Sequence, residues 1–498
     1  MVLMNSPEVK LAIVGVSRDS WPVELARARL GKLVKACEAA GRSVYACETI
    51  ITDEKAALAA LREVEEAGAN AAVVYLGNFG PEGPISIFAQ RFHGPVMVCG
   101  AAEETKNDLI GGRGDAYCGM LNAAYNLGLR NVRVYIPQMP IGLPDELAAK
   151  IKHFATVARI VIGVRNLKIF GFGPRPQDFF ACNAPIKQLY DLGVEVMENS
   201  ELDLLALYNA VDPNDPVIAP IAKDMAGELG QGNTYPDLLP KLARFELALM
   251  RFLADNLGSR TYGVFADKCW PAFERAFGFV PCYVNSRMAA KGIPIACEVD
   301  IYGALSEYIC QLASDLPATL LDVNNTVPPD MVAELSDLKG AAPEDLFMGF
   351  HCGNTPCCHL KACAVKYQLI MHRLMEDPSQ PPDITRGTLE GQLKPGPATF
   401  FRLQGDADSK LVSYAAEGSI LDVDPRSFGG IGVFAIPDFA RFYRHVLIGR
   451  RFPHHGAVAF AHCGKALFDA VKLLGVDDIN APKPAGVLYE GENPFETA

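Results

Sequence analysis

Short β-branched apolar runs alternate with amphipathic helical stretches over the first hundred residues, and this constrains the fold more than any other feature of the chain. "VKLAIVGVS" (9–17) has the length and branching of a buried strand. The helical stretch "WPVELARARLGKLVKACEAAG" follows, with Pro22 near its first turn and Gly41 at its stop. "SVYACETI", a helix through "EKAALAALREVEEAG", "AAVVYLG" and "PVMVCG" continue the alternation. Strands joined by crossover helices pair in parallel, and ligands collect beyond their carboxyl ends. The loops "SRDSWP" (17–22) and "GNFGPEGP" (77–84) leave those ends and are candidate binding loops. Ordinary turn chemistry accounts for any single residue there at least as well.

A second α/β unit begins near Asn166, with "LKIFGFGPRPQDFF" and "YDLGVEVMENSELDLLAL". Its Gly-rich loop is not a dinucleotide fingerprint. Pro174 and Pro176 stand where a helix should begin, the G-x-G-x-x-G order is missing, and no Walker A pattern occurs. From Gly387 the texture changes to short alternating segments broken by Gly, Pro and Asp, such as "KLVSYAAEGSILDV", which predict antiparallel strands in a barrel or sandwich. The chain returns to helix at "HCGKALFDAVKLLGV". At 498 residues it exceeds what one core holds, about 250–300 residues.

The net charge of −12, without a basic tract, argues against a nucleic-acid surface and weakly against an anionic membrane. No apolar run is long enough to span a bilayer, and "MVLMNSPEVKLAIVG" lacks the basic start of a signal peptide. The 14 cysteines are spread along a long chain, many inside apolar runs, which predicts free thiols in a reduced, cytoplasmic protein. Cys352, Cys357, Cys358, His359 and Cys363 do not form paired C-x-x-C knuckles, so they read as a buried turn rather than a structural zinc site.

Potential ligands stand inside apolar surroundings at a few places. Glu298 and Asp300 follow the apolar run "GIPIA", just before a helix. Asp322 ends the run "ATLL" and is followed by Asn324 and Asn325; His351 lies in "MGFHCGN". "FPHHGAVAFAHCGKAL" (452–467) crowds His454, His455, His462 and Cys463. Carboxylates with imidazole form a borderline-hard donor set suited to Mn²⁺, Mg²⁺, Fe²⁺, Co²⁺ or Zn²⁺, the carboxylate share favouring manganese or magnesium. Each acid also suits a helix N-cap, and Asp300 reads best in that role.

"KCWPAFERAFGFVPCYVNSRMAAKGIPIACEVDIYGALSEYICQLASDLPATLLDVNN" (268–325) resembles the central region of the L-fucose isomerase and L-arabinose isomerase superfamily, with its C-E-x-D before a helix and a strand ending in an acid. "HHGAVAFAHCGKAL" resembles the C-terminal H-G-A-V-x-x-G-H segment of the fucose isomerases, with Ala461 in place of the usual glycine. "LEGQLKPGPATFFRLQGD" is similar to that family's β-rich segment, while "VRNLKIFGFGPRPQDFFACN" and "GNFGPEGP" are similar to its two N-terminal α/β domains. With the patterns above, the resemblance implies two Rossmann-like or flavodoxin-like α/β domains (1–163 and 164–345). A C-terminal domain (346–498) with an antiparallel β-barrel-like part would follow.

The resemblance further implies a divalent metal, usually Mn²⁺, with Mg²⁺, Co²⁺ or Fe²⁺ as alternatives. Glu298, Asp322 and His455 match its ligands, and His351 stands where arabinose isomerases carry a further one. The implied reaction interconverts an aldose and its ketose through a metal-stabilised enediolate, on a sugar like L-fucose, D-arabinose or L-arabinose. Glu298 and Asp322 would act as acid and base. Isomerisation of a modified hexose, sulfonated or deoxy, and non-catalytic sugar binding are the alternatives. Arg18, Trp21, Asn78, Glu82 and Asn324 are candidates for orienting distal hydroxyls, and a homo-trimer or homo-hexamer is expected. His454, Cys297, Cys463 and Trp270 read as packing or capping residues, and His462 reads equally as a cap of the last helix or as a group that supports the ligands or meets the substrate.

Overall fold

The computed structural model describes residues 3–495, and the chain divides into two compact units. One holds residues 7–162 and 469–475; the other holds residues 163–468 and the two ends of the chain.

In the first unit β1 (Leu11–Val16), β2 (Tyr45–Ala46), β3 (Ala71–Leu76), β4 (Val96–Ala101) and β5 (Ile141–Gly142) pair in parallel in the order β2-β1-β3-β4-β5. β1, β3 and β4 are buried at every position, as expected where helices cover both faces of a parallel sheet. The helix Val23–Ala39 starts after Pro22 and stops before Gly41, whose φ of 74° is the left-handed turn that ends many helices. "SVYACETI" (43–50) yields only the two residues of β2, and the next residue, Ile51, makes a single bridge to Val16.

The second unit carries another parallel sheet of β6 (Leu167–Phe172), β7 (Glu195–Asn199), β8 (Tyr262–Ala266) and β9 (Ile295–Ala296), ordered β7-β6-β8-β9. Its later strands are β10 (Thr319–Thr326), β11 (Leu346–His351), β12 (Ala364–Tyr367), β13 (Arg386–Gln392), β14 (Gly396–Gly405), β15 (Leu411–Leu421), β16 (Gly430–Ala435), β17 (His455–Ala459) and β18 (Asp478–Asn480). They form one mixed sheet. Because β15 pairs with β16 as well as β14, the strands β10-β11-β16-β15-β14-β17 close into an antiparallel ring. Closure leaves those strands no open edge. Of the alternating segments read beyond Gly387, those of β14 and β15 belong to this ring while β13 flanks it through β16, and β10 joins from much earlier in the chain.

The buried helix Ile301–Ser314 packs against β8 of the parallel sheet and against β14 and β17 of the barrel. Phe170, Phe265 and Ile295 share one apolar cluster with Leu321, Phe347, Phe400 and Val458, so sheet and barrel stand on a common core. Each such large side chain contributes about 1.5–3 kcal/mol by burial. Residues at the carboxyl end of β9 and at the rim of the barrel are therefore held at fixed separation.

Candidate metal and catalytic site

Glu298 sits in the turn between β9 and the helix Ile301–Ser314. Both it (φ 58°, ψ 25°) and Val299 (φ 55°) adopt the left-handed conformation. That region is uncommon for any side-chain-bearing residue and costly for a β-branched one, and such strain clusters at functional sites. The turn aims Glu298 at the barrel rim, where its carboxylate lies 2.9 Å from His455 Nε2.

Strand register supplies the next two groups. Asp322 of β10 stands directly opposite His455 of β17, and Asp322 Oδ1 is 3.4 Å from His455 Nε2. The run "ATLL" does not end at Asp322, because β10 continues to Thr326. On the other side of β10, Asp322 faces Phe350, the neighbour of His351 at the end of β11. His351 is buried and its ring centroid lies 5.8 Å from that of His455. Its Nδ1 accepts the Cys352 N–H at 2.9 Å, which places the proton of the neutral ring on Nε2 and makes that atom a donor.

Glu298 Oε2 and Asp322 Oδ1 each approach His455 Nε2, at 2.9 and 3.4 Å, and all three atoms are buried without a hydrogen-bond partner among the described residues. Buried polar atoms are nearly always satisfied, so three orphans facing each other mark the place of a missing partner. Ligand atoms of Glu298, His351 and His455 lie within 4.8 Å of one another, as do those of Asp322, His454 and His455. This donor set of carboxylate oxygens and imidazole nitrogens suits a hard or borderline divalent cation, so the residues present fit such a metal.

The electrostatics agree. Burial alone would raise the Glu298 carboxyl, but His455 and the positive potential of His351 and His454 hold it at about 2. Burial opposes charge on His455 as well, yet Asp300, Cys182 and Glu298 raise its pKa well above the ordinary histidine value. The pocket therefore calls for positive charge at His455 Nε2, as a proton or as a cation. His454 is pulled the other way, first by burial and then by the charge of His455.

Asp300 has more to do than cap a helix. Its Oδ1 accepts the Gly303 N–H at 2.9 Å, which is the capping bond read from the sequence. Its Oδ2 lies 2.8 Å from His455 Nδ1, and Arg402 of β14 clasps both oxygens at 2.6 and 3.0 Å. All three side chains are almost fully buried. Burial would push the Asp300 carboxyl up; Arg402, and then His455, hold it far below the usual range. An ionised carboxylate only accepts, so His455 Nδ1 carries the proton and Nε2 faces the site. A Cβ on Gly303 would come within 2.6 Å of Asp300 Oδ2, so glycine is required there. Arg402 was not singled out in the sequence, though a lone cation inside the apolar strand "ATFFRL" is the signal that marks it.

The other candidates fall as follows. Arg18, Asn78 and Glu82 come together in the first unit: Arg18 Nη2 is 3.1 Å from Glu82 Oε1, and the Arg18 N–H donates to Asn78 Oδ1 at 3.0 Å. Trp21 stacks on Phe79 beside them, ring centroids 5.4 Å apart. Asn324 is exposed on β10, where its Oδ1 accepts from the Asn325 amide at 2.6 Å. His462 bonds the Gly418 carbonyl at 2.8 Å, and the last helix starts two residues later at Gly464. Cys357 and Cys363 hold their sulfurs 2.7 Å apart as free thiols, and no cysteine of that turn joins a potential metal group among the described residues. Trp270 lines a cavity of about 250 Å³ beside Glu298 and His351.

A larger cleft, of about 600 Å³, opens beside His454 and Val323. Phe180 and Asn183 line one side, and Gln404 and Arg451 line it as well. Phe179 packs edge-on against His454 at 5.4 Å, which fixes that imidazole at the cleft.

Residues 12–165 match the family model of the fucose/sulfoquinovose isomerase N-terminal domain, and residues 349–480 match that of the L-fucose isomerase C-terminal domain. Glu298 and Asp322 lie between the two matched stretches, and His351 and His455 lie within the second. A sulfoquinovose isomerase of Alkalicoccus urumqiensis is 26% identical over 341 residues, covering 67% of this chain and 70% of that protein. One from Clostridium sp. (strain MSTE9) is 27% identical over 304 residues, 59% of this chain and 61% of its own. One from Priestia aryabhattai is 27% identical over 173 residues, 34% of this chain and 37% of its own. No helix among the described residues is long and apolar enough to cross a membrane.

Proposed function

From the premise that this chain belongs to the fucose-isomerase-like superfamily of sugar isomerases, we propose that it interconverts a sulfonated hexose aldose and its ketose at the Glu298–Asp322–His455 site. The observation that carries the site is that two buried, unpartnered carboxylate oxygens, one from a turn and one from a strand, both approach the buried, unpartnered Nε2 of His455. The relatives named sulfoquinovose isomerase support a modified hexose over the L-fucose-like sugars that the sequence alone put first.

Glu298, Asp322 and His455 would hold a divalent cation where the two potential ligand groups meet at His455, and His351 would join through Nε2 on shifting its ring proton to Nδ1 and giving up the Cys352 bond. When bound, such a metal supplies Lewis acidity and a template for the two adjacent sugar oxygens. The chain's own groups do the proton work. Isomerisation moves one proton between C1 and C2 and another between O1 and O2. Glu298, ionised down to about 2, and Asp322 flank the same point and form the acid–base pair for these transfers. Asp300 keeps the His455 proton on Nδ1, and Arg402 keeps Asp300 ionised and aimed. The buried setting strengthens each of these interactions.

The test is direct. Purified protein is stripped with a chelator and assayed on 6-deoxy-6-sulfoglucose, L-fucose, D-arabinose and L-arabinose, with and without Mn²⁺. The expected outcome is metal-restored conversion, fastest on the sulfonated sugar, together with a rise in melting temperature on adding metal. Absence of both metal binding and conversion overturns the proposal; conversion of L-fucose alone returns the reading to an unmodified sugar.

A further inference from the structure

We propose that Arg451 binds the sulfonate group of the substrate and sets the preference for a charged sugar. This rests on the reading of the substrate as a sulfonated hexose. Arg451 stands four residues before His455, so at most about 14 Å of chain separates the two Cα atoms. It lines the cleft that His454 and Val323 also line, and His454 Nε2 lies 3.7 Å from Asp322 Oδ1, which connects that cleft to the candidate site.

The backbone holds it there. The chain leaves the helical segment Phe439–Ile448 through bonds from Arg450 N–H to Val446 O (2.8 Å), Arg451 N–H to Ile448 O (3.1 Å) and Phe452 N–H to Leu447 O (2.8 Å). Arg451 itself takes a left-handed φ of 61°, unusual for a residue with a side chain. A turn of this kind favours glycine, and an arginine kept in it points to a task for the side chain.

Charge is the second argument. No ion pair engages Arg451 among the described residues, whereas its neighbour Arg450 pairs with Asp478 (3.4 Å) and Glu490 (3.2 Å). The acid in the cleft lining, Asp406, is occupied with its own turn, accepting from the N–H groups of Asp408 (2.9 Å) and Lys410 (2.8 Å). Arg175 is not the better candidate. Its guanidinium is centred 4.6 Å over the Phe180 ring, and it lines a separate cleft together with Glu198.

The chemistry matches. A sulfonate is ionised at every working pH and offers three acceptor oxygens, which the planar fork of a guanidinium meets with paired donors. Gln404 and Asn183 add neutral donors around the same space, and Phe180 and Phe452 give it an apolar wall. A sugar without the charged group would leave the guanidinium with nothing to bind, so Arg451 gives selectivity and not only affinity.

The experiment compares Arg451→Gly and Arg451→Lys with the wild type, each loaded with Mn²⁺, on 6-deoxy-6-sulfoglucose and on uncharged 6-deoxyglucose. Glycine suits the left-handed backbone, so Arg451→Gly keeps the turn while removing the side chain. The ratio of kcat/KM values, sulfonated over uncharged, is expected to fall about 30- to 100-fold in Arg451→Gly, mostly through KM, and to recover in part in Arg451→Lys. An unchanged ratio in Arg451→Gly overturns the assignment of Arg451 while leaving the substrate reading intact. A wild type that shows no preference for the sulfonated sugar overturns the substrate reading itself, and this proposal with it.

Discussion

His455 Nδ1 lies 2.8 Å from Asp300 Oδ2, and that bond decides which face of the imidazole meets the site. Asp300 is ionised because Arg402 clasps both of its oxygens, so the histidine proton is fixed on Nδ1 and Nε2 is left for the converging carboxylates. Asp300→Asn removes the charge but keeps the shape. Mn²⁺ affinity, measured by calorimetric titration, is expected to fall about 10- to 100-fold, as for other losses of a partner behind a metal-binding histidine. Unchanged affinity would show that Asp300 serves the helix cap alone.

Glu298→Gln and Asp322→Asn each remove one member of the proposed acid–base pair while preserving volume. Turnover is expected to drop by at least about 10²- to 10⁴-fold in each. Solvent deuterium appearing at C1 or C2 of recovered sugar, followed by NMR, separates loss of carbon-proton transfer from loss of binding. A variant that turns over at the wild-type rate removes that carboxylate from the mechanism.

Much of this arrangement is legible in the chain itself, because strand ends and helix starts carry local signals. Glu298 and Asp300 precede a helix with a capping acid, and Asp322 and His455 stand at apolar runs that become β10 and β17. What the sequence hides is register and pairing. Asp322 and His455 face each other because β10 and β17 pair antiparallel across a gap of more than a hundred residues, and the barrel closes through a second pairing of β15. The same holds for Arg402, whose partner Asp300 is 102 residues away. Asp300 itself read as a simple N-cap because capping is a local bond and the clasp is not. The left-handed turn at Glu298 and Val299 carries no glycine or asparagine to announce it.

Arg402 also tests how the buried charges are balanced. Arg402→Met strands the Asp300 charge in the interior, and loss of one partner of a buried pair costs about 3–5 kcal/mol. The double variant Arg402→Met/Asp300→Asn strands no carboxylate. Its melting temperature is therefore expected to lie above that of Arg402→Met, the two substitutions failing to add because they share one interaction. Equal or lower stability of the double variant, by thermal denaturation, would show that packing of the arginine stem outweighs its charge.

The last expectation concerns Glu274, fully buried in the short helix Phe273–Phe277. Both of its carboxylate oxygens lack a hydrogen-bond partner, and burial, reinforced by Glu201 and Glu376, pushes its pKa up to about 8. The folded protein therefore keeps this group protonated at a pH where the unfolded chain, near 4.5, has lost the proton. Folding binds a proton between those values, so the contribution of Glu274 to stability falls as pH rises from about 4.5 to about 8, at about 1.4 kcal/mol per pH unit. Glu274→Gln keeps the shape and removes the titration. Its melting temperature is expected to decline less steeply than that of the wild type between pH 5 and pH 8, giving a stabilised variant at the alkaline end. Parallel profiles for the two proteins would mean that water or a neighbouring donor satisfies the ionised carboxylate in solution.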